Sequence, residues 1–153
     1  MDESTNGELR DALAHLPTAS YVLTSAYDGE RAGIFVAWVA PAANEPLLVS
    51  VSVLKGHSIE PLIRDSHAFA LCRIEPDDRL MLKKFSEPCP PDERGDPFDS
   101  MAVRTLKTGS PVIARSLVAL DCEVVRHFDL EADHELYVGH VIAVHIERTN
   151  PSD

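Results

Sequence analysis

Short runs in which apolar and polar residues alternate dominate the chain, and they predict a mainly β protein. In the run 47–54, Val49, Val51 and Val53 share one face of a strand, while Ser50 and Ser52 lie on the other. Serines in the middle of a largely apolar strand indicate a face that meets something buried and polar, or small residues at a crowded barrel interior or subunit contact. The predicted strands span 20–26, 31–40, 47–54, 68–74, 117–128 and 135–147.

Turn and helix signals divide these strands. Asp28-Gly29 between the first two strands is a strong hairpin signal. Helices are predicted over 7–16, where three leucines follow helical spacing, over 58–64, with Ser58 as its N-cap, and over 77–85. The Pro-rich, acidic segment 86–98 is expected to be an exposed loop.

Six strands joined mainly by hairpins predict a closed or partly closed antiparallel barrel with a few short helices. A doubly wound parallel sheet would need a helix after nearly every strand, and the sequence contains no Gly-x-Gly-x-x-Gly. We expect a single domain over 1–153 with its core within about 10–146.

Composition narrows the class of partner. The chain has 153 residues, 44% of them hydrophobic, and a formal net charge of −11. Such an acidic chain argues against nucleic-acid binding, although one basic pocket could still hold a small phosphorylated molecule. No apolar run approaches the roughly 20 residues of a membrane span. The acidic start lacks the features of a secretory signal, so we expect a cytoplasmic protein.

Cysteine and histidine spacing argues against a metal centre. Cys72 and Cys122 fall within apolar strand patterns and are predicted to be core residues, whereas Cys89 lies between prolines and is expected to be exposed. His140 and His145 have opposite parity on one predicted strand, so they point to opposite faces. The sequence also lacks the Gly-x-Ser-x-Gly elbow of many serine hydrolases.

The segment Lys55-Gly56-His57-Ser58 is the first candidate binding site. It places a cation, a flexible turn, an imidazole and a hydroxyl where a helix is predicted to begin. Free N–H groups and the helix dipole at that point suit a phosphate. The alternative is a polar turn capped by a serine.

In order and spacing, four segments resemble the flavin reductase family, whose fold is the FMN-binding split barrel. They cover most of the chain, from about residue 10 to 146. The matching segments are Ala32-Gly33-Ile34-Phe35-Val36-Ala37-Trp38-Val39, Glu45-Pro46-Leu47-Leu48-Val49-Ser50-Val51-Ser52-Val53, Lys55-Gly56-His57-Ser58, and Asp133-His134-Glu135-Leu136-Tyr137-Val138-Gly139-His140-Val141.

This resemblance implies a six-stranded antiparallel Greek-key split barrel that forms a homodimer and binds FMN, with FAD as the alternative flavin. It implies reduction of the flavin by NADH or NADPH, and transfer of the reduced flavin to an oxygenase or another acceptor. The implied cofactor-binding residues are Phe35, Val36, Ala37 and Trp38 beside the ring's polar edge, Ser50, Val51 and Ser52 alongside the cofactor, and Lys55, His57 and Ser58 at the phosphate. His134 is the implied catalytic residue, near the ring or the nicotinamide.

Two of these residues have a plain structural alternative. Trp38 could be a core or interface residue, and His134 a structural histidine at a turn. The chain also departs from the family pattern, because Phe35 and Ala37 stand where family members usually have Thr and Ser or Asn. Two further functions therefore stay open: a flavin-binding electron carrier without a nicotinamide site, and a barrel that has lost its cofactor and serves as an interaction module.

Overall fold

The structure is a computed structural model that describes residues 3–86 and 95–147. The helices in these residues are α1 (Glu3–Ala14), α2 (Ile59–Ser66) and α3 (Arg79–Ser86). The strands are β1 (Tyr21–Tyr27), β2 (Glu30–Val36), β3 (Val39–Ala43), β4 (Leu48–Leu54), β5 (Ala68–Arg73), β6 (Val103–Arg104), β7 (Val112–Ile113), β8 (Val118–Asp129) and β9 (His134–Ile146). Within the described residues, every helix is too short or too polar to cross a bilayer.

One antiparallel sheet of seven strands, in the order β2-β1-β5-β8-β9-β4-β3, forms the body of the molecule. Its two edge strands are neighbours in the chain, because β2 ends at Val36 and β3 begins at Val39. A sheet whose edges are joined by two residues must curl until those edges meet. The result is a split barrel, which confirms the predicted mainly β class.

The prediction of one continuous strand over 31–40 was wrong. The chain leaves β2, which pairs with β1, and enters β3, which pairs with β4. No single straight strand could pair with both sheet edges, so the strand breaks at Ala37 and Trp38 and its second half extends to Ala43. This break gives the main sheet seven strands where the sequence predicted six, and β6 and β7 add a short ribbon.

The hairpin between β1 and β2 was predicted correctly. Tyr27 pairs with Glu30, which leaves Asp28 and Gly29 as a two-residue turn. Both residues have positive φ angles, 51° and 81°, as the common tight hairpin turn requires.

Two clusters of buried side chains fill the structure. In the first, Ile59 and Ile63 of α2 pack with the inward face of β4, including Val51. In the second, Met81 and Phe85 of α3 pack with residues that include Phe98, Val112 and Ile113. Cys72 and Cys122 are fully buried in these clusters, as predicted, and burial raises their thiol pKa values to about 11 and about 12.

Of the segment predicted to be an exposed loop, 86–98, the structure describes the two ends. Ser86 closes α3, and Phe98 is 1% exposed in the second cluster. Asp96 forms an ion pair with Arg31 at 2.7 Å, which ties the end of the segment to β2. The expectation of exposure holds for Ser86 and Gly95 but is wrong for Phe98, because its aromatic ring packs in the second cluster. Residues 87–94, with Cys89, lie outside the described residues.

Helix boundaries moved by a few residues. α3 begins at Arg79, two residues later than predicted, and the carboxylate of Asp78 accepts a hydrogen bond from the amide of Met81 at 3.3 Å. α1 spans Glu3–Ala14 where 7–16 was predicted, and none of its residues is buried. Its leucines, Leu9 and Leu13, and Leu16 just beyond it are 51–59% exposed. The apolar stripe is real, but no part of the described chain covers it.

Candidate functional site

The outer face of β4 and β9 carries the predicted serines. Ser50 and Ser52 are half-buried and alternate with Val49, Val51 and Val53, whose side chains face the first core. Val51 can therefore contribute only its backbone to a ligand on the outer face. The serines do not fit the barrel interior, so that interpretation was wrong.

Trp38 and His134 form an aromatic pair at the seam between the sheet edges. Their ring centroids lie 4.9 Å apart at an interplanar angle of 43°. Trp38 is 49% exposed, so its interpretation as a core residue was wrong. His134 Nδ1 lies 2.9 Å from the carboxylate of Asp133, and this hydrogen bond lowers the pKa of Asp133. The pair is a partly open aromatic surface with one ring held in place by a carboxylate.

The stretch 35–37 offers backbone groups and no side-chain hydroxyl. Val36 is 6% exposed in the first core, and the Phe35 side chain packs against the second core. Ala37 is half-buried at the strand break. The side chains of Phe35 and Val36 thus support the fold, and polar contacts to a ligand would come from the main chain.

Lys55 follows β4 directly and is already paired. Its ammonium lies 2.8 Å from the carboxylate of Asp129, and its backbone amide donates to the carbonyl of Asp133 at 2.9 Å. The hydrogen bond between the side chains raises the pKa of Lys55 and lowers that of Asp129. The backbone bond places Lys55 beside the Trp38–His134 pair.

His57, and not Ser58, caps the start of α2. The amide of Ile59 donates to His57 Nδ1 at 3.1 Å, while the Ser58 side chain makes no cap bond. The predicted serine cap was therefore wrong. Ser58 has helical backbone angles, φ −63° and ψ −13°, whereas a capping residue normally lies in the β region. Burial lowers the pKa of His57, which favours the neutral ring that an acceptor nitrogen needs.

Sequence reasoning missed Glu60. Its carboxylate accepts hydrogen bonds from the amide of Gly56 at 3.0 Å and from the hydroxyl of Tyr137 at 3.2 Å. The neighbouring carboxyl group of Glu135 interacts with it electrostatically. Burial, and then the neighbouring Glu135, raise the pKa of Glu60, whereas the neighbouring Glu60 lowers the pKa of Glu135. An acidic residue in the first turn of α2 was visible in the sequence, but its partners on β9 were not.

The aromatic ring of Tyr137 is itself held. His127 stacks on it with a centroid distance of 4.3 Å and an interplanar angle of 5°, and His127 Nε2 lies 3.4 Å from Glu135. Tyr137 is 3% exposed. The structure thus brings two groups together at the end of β4: an open aromatic pair on the outer face, and a loop over 55–60 whose polar groups bond to one another.

Comparison with known proteins shows which family the chain resembles. The model of the flavin reductase like domain matches residues 13–153. Diflavin flavoprotein A 1 of Synechocystis sp. is 26% identical over 140 residues, which cover 91% of this chain and 24% of that protein. The chain thus spans about a quarter of the length of its diflavin relatives. FMN reductase (NADH) RutF of Pantoea ananatis is 25% identical over 137 residues, 90% of this chain and 70% of that protein.

Solved structures share the fold. NADH:FAD oxidoreductase SgcE6 of Streptomyces globisporus superimposes with a TM-score of 0.83 at 24% identity, covering 96% of this chain and 86% of that chain. A homolog of nitrilotriacetate monooxygenase component B from Mycobacterium thermoresistibile gives a TM-score of 0.83 at 23% identity, covering 98% and 82%. At these identities, the likeness supports the fold alone.

Proposed function

Because the chain belongs to the flavin reductase-like family, as the match over residues 13–153 shows, we propose that it reduces FMN with NADH or NADPH. FAD is the alternative flavin. The observation that carries the proposal is the half-exposed Trp38 in tilted contact with the His134 ring, beside the partly polar outer face of β4. A bound flavin would supply the acceptor for a hydride from the nicotinamide, and the protein would supply position and shielding from water.

The residues around the aromatic pair fit a flavin ring. Trp38 presents an aromatic surface, and Ser50 and Ser52 present hydroxyls on the neighbouring strand. Main-chain groups at 35–38 would contact the polar edge of the ring. His134, oriented by Asp133, would face the ring or the nicotinamide. An imidazole held by a carboxylate can hold a proton at a fixed place, which is the catalytic role we assign to His134.

At the phosphate end, Lys55, His57 and Ser58 are the proposed contacts. The exposed Ser58 hydroxyl makes no cap bond and is available to a ligand. Lys55 would have to exchange part of its contact with Asp129 for the phosphate. The residue types that could bind a phosphate are thus present, but some of their polar groups already bond within the chain.

A homodimer is part of the proposal. Half-exposed apolar side chains lie on or directly after β4, β8 and β9, and a second copy of the chain could bury them. These side chains, 45–51% exposed, are Leu54, Phe128, Leu130, Val144 and Ile146. Sedimentation over a dilution series tests this, and a stable monomer at micromolar concentration would contradict it. We further propose that the protein is cytoplasmic and passes reduced flavin to an oxygenase.

The direct test measures whether the protein retains flavin and whether it oxidises a nicotinamide. Purified protein is mixed with FMN, desalted and examined for a flavin absorption spectrum, and NADH and NADPH oxidation is then measured with excess FMN or FAD. Turnover that rises with added flavin supports the reductase. Absence of both flavin binding and nicotinamide oxidation would rule the proposal out.

A flavin-binding electron carrier is the second candidate. The match to about a quarter of a diflavin flavoprotein favours it, because such a domain could serve within a larger electron-transfer protein. Tightly retained flavin without turnover of either nicotinamide would select the carrier over the reductase.

A further inference from the structure

Glu60 accepts a hydrogen bond from the Gly56 amide in the loop over 55–60, where the phosphate contacts are proposed. We propose that its carboxylate competes with the phosphate of the flavin, so that a phosphorylated flavin binds weakly and exchanges as a substrate. The inference rests on the proposed function, since it concerns the phosphate end of the same site. It assigns Glu60 as a specificity-determining residue.

Two backbone donors of the loop are already bonded to side chains of the loop and of the first turn of α2. A phosphate at such a loop is normally held by free N–H groups. Here the amide of Gly56 donates to Glu60 Oε2 at 3.0 Å, and the amide of Ile59 donates to His57 Nδ1 at 3.1 Å. An incoming phosphate must therefore displace Glu60 to use the Gly56 amide.

The local charge also opposes a phosphate. Lys55 is the cation of the loop. Its pKa is raised by the hydrogen bond to Asp129 and by the negative charges of Asp129, Glu135 and Glu60. Its ammonium is held by Asp129 at 2.8 Å. A phosphate dianion entering beside Glu60 would meet repulsion between like charges a few ångströms apart, which the single lysine does not offset.

Glu60 is held in this position by the body of the protein. The hydroxyl of the buried Tyr137 donates to it at 3.2 Å. His127 stacks on Tyr137 and so fixes that ring in turn. Because these partners come from the sheet, displacing the carboxylate requires breaking contacts outside the loop as well as within it.

The test compares FMN with riboflavin, which has the same ring system and no phosphate. Dissociation constants are measured by fluorescence titration at pH 8 for the wild type, Glu60→Gln and Glu75→Gln. Glu75 is exposed and its position is remote in sequence from the loop, so it controls for the change in net charge. Glu60→Gln should tighten FMN binding about tenfold, as expected for removing one charge near a phosphate, and leave riboflavin binding unchanged. Glu75→Gln should change neither.

Equal effects on both flavins, no effect, or weaker FMN binding in Glu60→Gln would overturn the inference. If Glu60→Gln does not fold, Glu60→Ala gives the same comparison. If riboflavin and FMN both bind and only the Glu60 effect is missing, the competition fails while the proposed function stands. If neither flavin binds any form, the proposed function fails, and the inference fails with it.

Discussion

The two faces of the sheet formed by β4 and β9 have opposite characters. On the inner face, Val51 and Val53 are fully buried and Tyr137 is 3% exposed. On the outer face, Ser52 is half-buried and Trp38 beside it is 49% exposed. The inner face specifies the barrel, so changes there should act on stability. The outer face carries half-exposed groups that we propose to bind the flavin, so changes there should act on ligand affinity.

The largest expected effect is at Gly139, where β9 crosses the core. A Cβ atom there would lie 2.6 Å from Phe69 Cζ and 2.8 Å from Cys122 Cβ. We expect Gly139→Ala to lower the free energy of unfolding by about 3 kcal/mol, because overpacking forces neighbouring side chains or the backbone to shift. Urea unfolding measures this.

The same substitution at Gly7 is the matched control. Gly7 lies in α1, and a Cβ atom added there would meet nothing within 4 Å, so Gly7→Ala should be neutral or stabilise by up to about 1 kcal/mol. Similar losses at both glycines would mean that the inner face is not tightly packed.

Adjacent residues of β4 give the next comparison. Val51→Ala removes two methyl groups from a fully buried position and should cost about 2 kcal/mol of unfolding free energy. Ser52→Ala, on the outer face, should stay within about 0.5 kcal/mol. Thermal and urea unfolding of the two variants measure these losses. A larger loss of unfolding free energy in Ser52→Ala than in Val51→Ala would contradict the assignment of the faces.

Features of the fold that have local causes could be predicted from the sequence, whereas features that depend on distant parts of the chain could not. Alternation in 47–54 predicted both faces of β4, and Asp28-Gly29 predicted the hairpin, because side-chain direction and turn geometry are local. The break at Trp38 was not predicted, since closing the barrel is a property of the whole sheet. Phe98 was missed for a similar reason: its burial depends on tertiary contacts in the cluster formed by α3 with Val112 and Ile113, which lie outside the polar segment.

The candidate site shows the same division. Lys55, His57 and Ser58 were recognised as a group from their order in the chain. That Lys55 is already paired with Asp129, and that Glu60 bonds to Tyr137, could not be recognised, because β8 and β9 supply the partners from more than 70 residues away. The candidate ligand groups are predictions from the sequence, and the structure shows which of them already bond within the chain.

Substitution of Trp38 tests the proposal that the outer face binds the flavin. Trp38→Ala should weaken flavin binding about fivefold, which corresponds to the loss of an aromatic contact worth about 1 kcal/mol. Trp38→Phe should retain most of the affinity, and both variants should unfold close to the wild type. Because Trp38 is the single tryptophan of the chain, quenching of its fluorescence by added flavin reports binding directly in the wild type. Unchanged affinity in Trp38→Ala would move the flavin away from this face.

The smallest expected effect is at His57, in the loop that follows β4. Burial lowers the folded-state pKa of His57 below its ordinary value of 6.5, so protonation favours the unfolded chain. The contribution of the neutral ring is complete above pH 6.5 and is lost as the pH falls through the lowered pKa. A protonated Nδ1 cannot accept from the amide of Ile59, so the cap bond, worth about 1 kcal/mol, is lost as well.

His57→Asn separates this effect from other titrations, because an amide oxygen can accept the same hydrogen bond at any pH. Urea unfolding at pH 8 and pH 5 should show a decrease for the wild type that exceeds the decrease for the variant by up to about 1 kcal/mol. The carboxylates of the loop titrate in both proteins and cancel in that difference. Identical pH dependence in the two proteins would mean that His57 does not cap α2, and that the Ile59 amide is free to receive a phosphate.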